Sequence, residues 1–392
     1  MRVEVAFEDE TVVIDVPDER LVLSWQAPPG GSSEDIYSRV LSALEHPHGF
    51  PSLRQAIVPG DCVVIALGSG IPEPMSVLQA VSSVLQAAGV RTESISVLTE
   101  HDFAEVLIDS IPPGLSLIRH DPEDRDQLAY LATTSTERRV YLNRQLTDAD
   151  FVLPIGRLAF DPLAGMRGPW DVIFPGLTDT EAKQAVLTHA GATSQAESAE
   201  VAWLLGCHFQ VGLLTGGTGL IDVIAGASES VLQEGMRSLE TAWTVHVPSR
   251  AELVIIGVGS PGCRSTILDI SRGLATATKL VQRGGKVVVL SRAEGPIGPA
   301  FQRLVGLDDA HRGQARLKGH ETDADYHAVQ HLVDALAWAD IYLLSKLGQE
   351  LVEDLSMIAL DRPEEVKRLA AVAGSCLIVS HADQVSVMIE DD

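Results

Sequence analysis

Apolar and polar residues alternate through the first positions of the chain. Val3, Val5 and Phe7 form one apolar set and Val12, Ile14 and Val16 a second, with Glu8, Asp9 and Glu10 between them. A period of two with a charged break predicts a β-hairpin over residues 2–16. The period then lengthens: Ile36, Val40, Leu41 and Leu44 share one helical face, which predicts a helix over 33–58. Pro59, Gly60 and Asp61 turn the chain into a strand over 62–67, and a loop with Gly68, Gly70, Pro72 and Pro74 follows. A helix over 75–88, ended by Gly89, leads to a strand over 95–97. Strand, loop, helix and strand in that order predict a parallel crossover unit. Short strands are expected over 115–121 and 139–143.

The same pattern recurs after residue 249. A strand over 253–256 meets a glycine loop, a helix over 267–282, a turn at Gly284 and Gly285, and a strand over 286–290. Helices over 327–338 and 364–373 and strands over 341–344 and 376–380 complete it. The chain therefore reads as α/β: two lobes with largely parallel sheets flanked by helices, joined near 246–250. The lobes are expected at 1–247 and 248–392. The end of the first lobe, residues 196–245, is mixed, with a glycine turn at 216–219 and a helix over 227–243.

Composition narrows the function classes. The net charge is −25, from 54 acidic and 29 basic residues among 392. Phosphate backbones and anionic membranes need a basic face, so no nucleic-acid partner and no membrane partner are expected. The four cysteines, Cys62, Cys207, Cys263 and Cys376, are widely spaced and are read as buried reduced thiols. Residues 1–16 contain no apolar signal core and no run is long enough to span a bilayer, so a cytoplasmic protein is expected.

The chemistry gathers around residues 148–176. A buried strand over 151–155 leads into a loop broken by Gly165, Gly168 and Pro169, and again by Pro175 and Gly176. Asp161 and Asp171 are expected in that loop, and a helical run beyond it carries His189. The segment resembles the nickel-dependent lactate racemase family. Asn143 and Arg144, Ala149 and Asp150, Ala164 and Gly165, Gly168, and Pro175 and Gly176 fall in the family's register.

The resemblance implies an N-terminal racemase-like domain, a C-terminal α/β domain and a cleft between the lobes. It also implies inversion of a 2-hydroxy-acid by a nickel-pincer nucleotide, which takes and returns hydride. By register, His101 at a strand exit and Asp161 become the acid/base candidates. His189 becomes the metal candidate, with a softer match. Arg272 stands where the family has a lysine that reaches substrate. Glu294 and Gly295 match a glycine-rich loop taken as substrate-binding. Asp171 stands at the cofactor-linking lysine, and an aspartate cannot form that link. Ile71 stands where the family's carboxylate-binding arginine belongs. A racemase or epimerase acting on a 2-hydroxy-acid or related small polar substrate is thus one reading. A non-catalytic ligand-binding or regulatory homologue is the other.

Other motifs weigh less. His120 and Asp121 end a strand and read as a loop clasp. Gly257, Gly259 and Gly262 spell a dinucleotide fingerprint, but no acidic residue closes a second strand about twenty residues on, so no NAD is expected. His327 and His331 share a helical face near His320. With no glutamate beside His327 they do not make a metallopeptidase, and a polar face is expected.

Overall fold

The computed structural model describes residues 1–31, 35–108, 111–187, 192–260, 264–306 and 312–390. The N-terminal alternation forms strands β1 (Arg2–Phe7) and β2 (Glu10–Asp15), paired antiparallel, and a further strand, β3 (Leu21–Trp25), follows. The long helix expected over 33–58 is two short ones, α1 (Ile36–Glu45) and α2 (Leu53–Ala56). Pro47 cannot donate to a helix, and the His48 backbone instead bonds Ala225 and Ala227. Strand β4 (Val63–Leu67), helix α3 (Pro74–Ala87) and strand β5 (Ile95–Glu100) form the expected crossover. Next come α4 (His101–Leu107), β6 (Ser116–His120), β7 (Leu128–Thr133), β8 (Arg139–Asn143) and α5 (Arg144–Asp148).

The central strand, β9, runs over Phe151–Asp161, so Asp161 ends a strand rather than lying in a loop. It is followed by β10 (Gly165–Arg167), α6 (Pro169–Asp171), α7 (Thr180–Leu187) and α8 (Ala192–Leu204). Strands β11 (Phe209–Gly216) and β12 (Gly219–Ala227) form a hairpin whose turn is the glycine cluster at 216–219, and α9 covers Ser228–Trp243. Beyond it lie β13 (Thr244–Val247), β14 (Ala251–Gly257), α10 (Ile267–Leu280) and β15 (Val281–Leu290). Gly284 and Gly285, expected as a turn, are absorbed into β15, where the register against β14 slips. The remaining elements are α11 (Pro299–Leu304), α12 (Gly313–Leu317), α13 (Tyr326–Trp338), β16 (Asp340–Leu344), α14 (Gln349–Asp354), β17 (Ile358–Ala359), α15 (Pro363–Val372), β18 (Cys376–Val379) and β19 (Ser386–Ile389). No described helix is long and apolar enough to cross a membrane.

The chain divides into two compact units. One holds residues 29–159 and 164–241; the other holds 1–28, 160–163 and 242–392. In the first unit a mixed sheet runs β12-β11-β9-β4-β5-β6, with β10 on β9, and the pairs from β11 through β6 are parallel. Both faces of this sheet are covered, as parallel sheets require. Val63, Ile65 and Leu67 of β4 pack with α1 and α3, while Val64 and Ala66 pack with Ile173, Phe174 and Val201 on the opposite face.

In the second unit the sheet runs β17-β16-β15-β14-β18-β3, all parallel. The β1–β2 hairpin belongs to this unit. Val3, Val5, Phe7, Val12 and Ile14 share a core with Leu253, Ile255 and Ile378. Cys207 and Cys376 are buried, and burial pushes both thiols up to about 12. Cys62 departs from the expectation of burial: it lies just before β4 and is exposed. Cys263 is outside the described residues.

Candidate functional site

Strand order locates the candidate sites. In the first unit the chain steps outward from β4 to β5 and β6, then returns to place β9 on the other side of β4. Such a reversal opens a crevice at the carboxyl ends of the two strands, where open α/β sheets bind their ligands. Three loops leave the sheet here, after β4, β5 and β9. Gly68 N–H donates to the Ile155 carbonyl at 2.9 Å, and Thr99 Oγ1 donates to the Leu67 carbonyl at 2.7 Å, so the strand exits are tied together. Gly156 lets the return segment close over them, since a Cβ there would sit 2.6 Å from the Pro169 Cα.

His101 begins α4 at the exit of β5 and is exposed. Beside it, Lys183 Nζ donates to Glu100 Oε1 at 2.8 Å. Ile71 is buried in the core under α3, so the loop after β4 offers no guanidinium of its own. Arg157 of β9 supplies one nearby: a Cβ on Gly70 would lie 3.4 Å from its Nη1.

Asp171 sits in the same unit but serves the backbone. Its Oδ2 accepts from Gly168 N–H at 2.8 Å and pairs with Arg167 Nε at 3.3 Å, and Ser198 Oγ donates to its Oδ1 at 3.4 Å. His120 is a clasp, although its partner is not Asp121. One ring nitrogen, Nε2, donates to the Thr178 carbonyl at 2.8 Å, and Nδ1 accepts from Asn143 Nδ2 at 3.2 Å. Burial lowers its pKa, with Lys183 adding to the effect, so a neutral ring suits the site. Asp121 instead caps the turn through the Glu123 N–H at 2.9 Å.

The second unit has its own reversal. Its chain steps from β14 through β15 and β16 to β17, then places β18 on the other side of β14. This crevice is filled by the protein's own groups. Asp383, buried, accepts from Gly259 N–H at 3.0 Å, and burial and then Asp269 push its carboxyl above the usual carboxylate range. Glu8, from the β1–β2 turn, accepts from Arg292 N–H at 2.9 Å. Gly259 has a φ of +96°, and a Cβ there would come within 2.4 Å of Ser265 Oγ and 2.6 Å of Glu8 Cγ. The fingerprint glycine thus answers a packing need. A carboxylate already holds the N–H that a phosphate would take.

Asp161 and Arg272 do meet. Arg272 Nε donates to Asp161 Oδ2 at 3.0 Å and Nη1 to Asp269 Oδ1 at 2.7 Å, while Leu163 N–H occupies Asp161 Oδ1 at 2.8 Å. Burial alone would lower the pKa of Arg272, but the two carboxylates raise it overall. Asp269 is fixed in turn by its place in the capping box of α10, where Thr266 N–H donates to it. Glu294 is exposed and pairs with Arg264 at 2.9 Å, and its backbone N–H donates to Ser265. Gly295 has a φ of +99° with open space around it.

His189 lies outside the described residues. Among the described residues no group of three His, Cys, Asp or Glu side chains could hold a metal ion. His331, on α13, has its pKa lowered by burial. Sequence reasoning placed little weight on Arg157 and Lys183. Arg157 is offered by the sequence only as one of three local cations, with Arg167 and Arg272, for an anionic ligand, and Lys183 gave no signal before its partner Glu100 was located.

The comparisons with known proteins follow the same lines. The fold is similar to that of the lactate racemase apoprotein from Thermoanaerobacterium thermosaccharolyticum, with a TM-score of 0.83 at 15% identity, covering 99% of this chain and 100% of that one. It is also similar to a protein from Thermotoga maritima, with a TM-score of 0.66 at 12% identity, covering 93% of this chain and 100% of that one. At these identities the likeness is one of fold. No protein with a curated description matches the chain in sequence. Residues 7–200 match the lactate racemase N-terminal domain, and the chain belongs to the lactate racemase family.

Proposed function

We propose that the protein is a divergent racemase or epimerase acting on a 2-hydroxy-acid or a related small anionic substrate. The observation that carries this reading is the strand-order reversal between β4 and β9, with Arg157 beside the loop that follows β4. In it, Arg157 takes the part of substrate-carboxylate partner, for which its planar fork is suited. His101 takes the C2 proton as that C–H bond breaks, a water on the opposite face supplies the proton of the new C–H bond, and the imidazolium neutralises the hydroxide that is left. Asp161 serves to orient Arg272 rather than to transfer a proton, because both of its oxygens already accept hydrogen bonds.

The family's nickel-pincer nucleotide is a poor match to these residues. Asp171 has no amine to form a link, and its carboxylate is committed to Gly168 and Arg167. The same observation favours a second reading, in which the protein binds the acid without turning it over.

The two readings part on one assay. The purified chain is incubated with single enantiomers of lactate and longer 2-hydroxy-acids, in deuterated water, with and without nickel, and chiral composition is followed. Inversion should fall about a hundredfold in His101→Ala, the usual size of a general acid/base effect. Arg157→Ala should raise KM about tenfold or more. Saturable binding with no inversion and no exchange would replace catalysis with the ligand-binding reading. No binding of any acid would remove both.

A further inference from the structure

Lys183 is a cation set against the polarity of its own helix. It lies near the start of α7, an end where the macrodipole favours acidic groups such as Glu181. That helix start is firmly held: Ala182 N–H donates to Asp179 Oδ1 at 2.8 Å, and Lys183 N–H donates to the Asp179 carbonyl at 3.1 Å. From there the side chain reaches a residue 83 positions earlier, where Nζ donates to Glu100 Oε1 at 2.8 Å. The two side chains are 25% and 45% exposed, and a pair so open to water adds little to stability. Its use lies in what stands beside it.

Two imidazoles do. Glu100 is the last residue of β5, directly before His101, and it is the register partner of His120 on β6. Its carboxylate makes no capping bond to α4, which begins at His101. Burial is the largest influence on the His120 proton, but both charges act on it as well, Lys183 against the protonated form and Glu100 in its favour. His101 adjoins the same glutamate in the chain, so the same balance bears on it. The other carboxylates on these elements are Asp121 after β6, Glu105 one turn along α4, and Asp179 and Glu181 on α7. Asp121 accepts from Glu123 N–H at 2.9 Å and Asp179 from Ala182 N–H.

We propose that Lys183 is a positioning residue for the reaction: by holding the Glu100 carboxylate against α7 it keeps that charge from His101, so the imidazole stands neutral and able to take a proton. The proposal rests on the reading of His101 as the base. A carboxylate left free beside an imidazole favours the imidazolium, which has no lone pair with which to accept a proton. Lys183 prevents this through Glu100, without touching the reacting atoms.

The test compares the parent chain with Lys183→Met, Lys183→Arg, Glu100→Gln and the double variant Lys183→Met/Glu100→Gln. The first measurement needs no turnover. His101 is exposed, and its carbethoxylation by diethyl pyrocarbonate, which attacks only the neutral ring, is followed by peptide mass mapping at about pH 6.5. Lys183→Met should slow the labelling about threefold, because the freed carboxylate holds a proton on the ring. Lys183→Arg should keep the parent's rate. The double variant and Glu100→Gln should label at least as fast as the parent, because the carboxylate is gone. The second measurement is inversion of a 2-hydroxy-acid from about pH 5.5 to about pH 8.5. Lys183→Met should lose rate at the acid end and keep it at the alkaline end, and the double variant should regain the acid end. A merely structural loss would lower the rate at every pH and would not be mended by removing Glu100. The two failures stay distinct: a parent that inverts no acid overturns the racemase reading, whereas labelling of His101 that is indifferent to Lys183, or slowed but not restored in the double variant, overturns the role of Lys183.

Discussion

At the scale of single residues, the polar side chains near the strand exits are mostly committed to holding the fold. His120 gives a pH test. In the unfolded chain an imidazole takes a proton near pH 6.5, whereas in the fold burial lowers its pKa from 6.5. The unfolded state therefore binds the proton first as pH falls, and the His120 contribution to stability is present above about 6.5 and lost below it. Urea midpoints at pH 7.5 and 5.5 should drop more steeply in the parent than in His120→Gln; equal slopes would mean that other groups set the acid limb. Arg272 gives a second test. Arg272→Ala leaves Asp161 and Asp269, 13% and 23% exposed, facing each other without a cation. A loss of about 3 kcal/mol in denaturant unfolding is expected, and Arg272→Lys should recover only part of it because the fork is gone. A silent Arg272→Ala would mean the network is solvated and weak. Asp171→Lys should also be destabilising, because it removes the acceptor of Gly168 N–H and sets an ammonium beside Arg167. The intact mass of the parent should show no cofactor adduct after co-expression with the family's maturation enzymes, because Asp171 offers no amine. These residues could be numbered from the sequence, but their partners could not. Asp161 sits 111 positions from Arg272, and nothing in the spacing of two charges reveals whether they meet.

At the scale of elements, the helices and strands with a clear period were legible, and those shaped by long-range pairing were not. The alternation of residues 2–16 and the apolar run of β4 specify their conformations locally. Strand β7 escaped notice because its residues are only half buried and its stability comes from β8 and α8. The helical period over 33–58 was real, but Pro47 and the pairing of His48 with β12 broke it. The clamp of α8 on the β7–β8 hairpin is itself testable. Glu197 is 6% exposed and accepts from Arg138, Thr134 and Thr136. Glu197→Ala removes a buried carboxylate while leaving Arg138 without its partner, so roughly 3 kcal/mol should be lost. Amide exchange at residues 134–139 should quicken before that of β4 or β9. Exchange that rises uniformly through the unit would mean that the clamp supports the whole core rather than the hairpin.

At the scale of the whole molecule, crossover units announce parallel sheets but not which side of the first strand the next one takes. Both reversals, β4 against β9 and β14 against β18, therefore had to be seen in the structure. The joining of the N-terminal hairpin to strands more than 200 positions away was hidden for the same reason, since an amphipathic hairpin packs on any sheet face that is left uncovered. Net charge, by contrast, is fully legible, and it makes a prediction about the molecule as a whole. With 54 acidic against 29 basic residues, unpaired carboxylates outnumber ion pairs, and the compact state suffers their mutual repulsion. Salt acts on both: it screens the repulsion, and it weakens exposed pairs such as Arg264 with Glu294 and Arg237 with Glu234. Exposed pairs are worth little each, whereas a charge of −25 is shed over the entire surface, so the repulsive contribution should dominate. The thermal midpoint at pH 7.5 should climb as sodium chloride is raised from about 20 to about 200 mM, over which the screening length falls from roughly 20 Å to below 10 Å. A midpoint that falls across this range would show that the ion-pair network outweighs self-repulsion. Binding of an anionic substrate at Arg157 should respond in a related way. Arg157→Ala should lose more affinity at low salt than at high salt, because screening masks the field it supplies. Equal loss at both would mean that Arg157 serves the fold of the β4–β9 crevice and not the ligand within it.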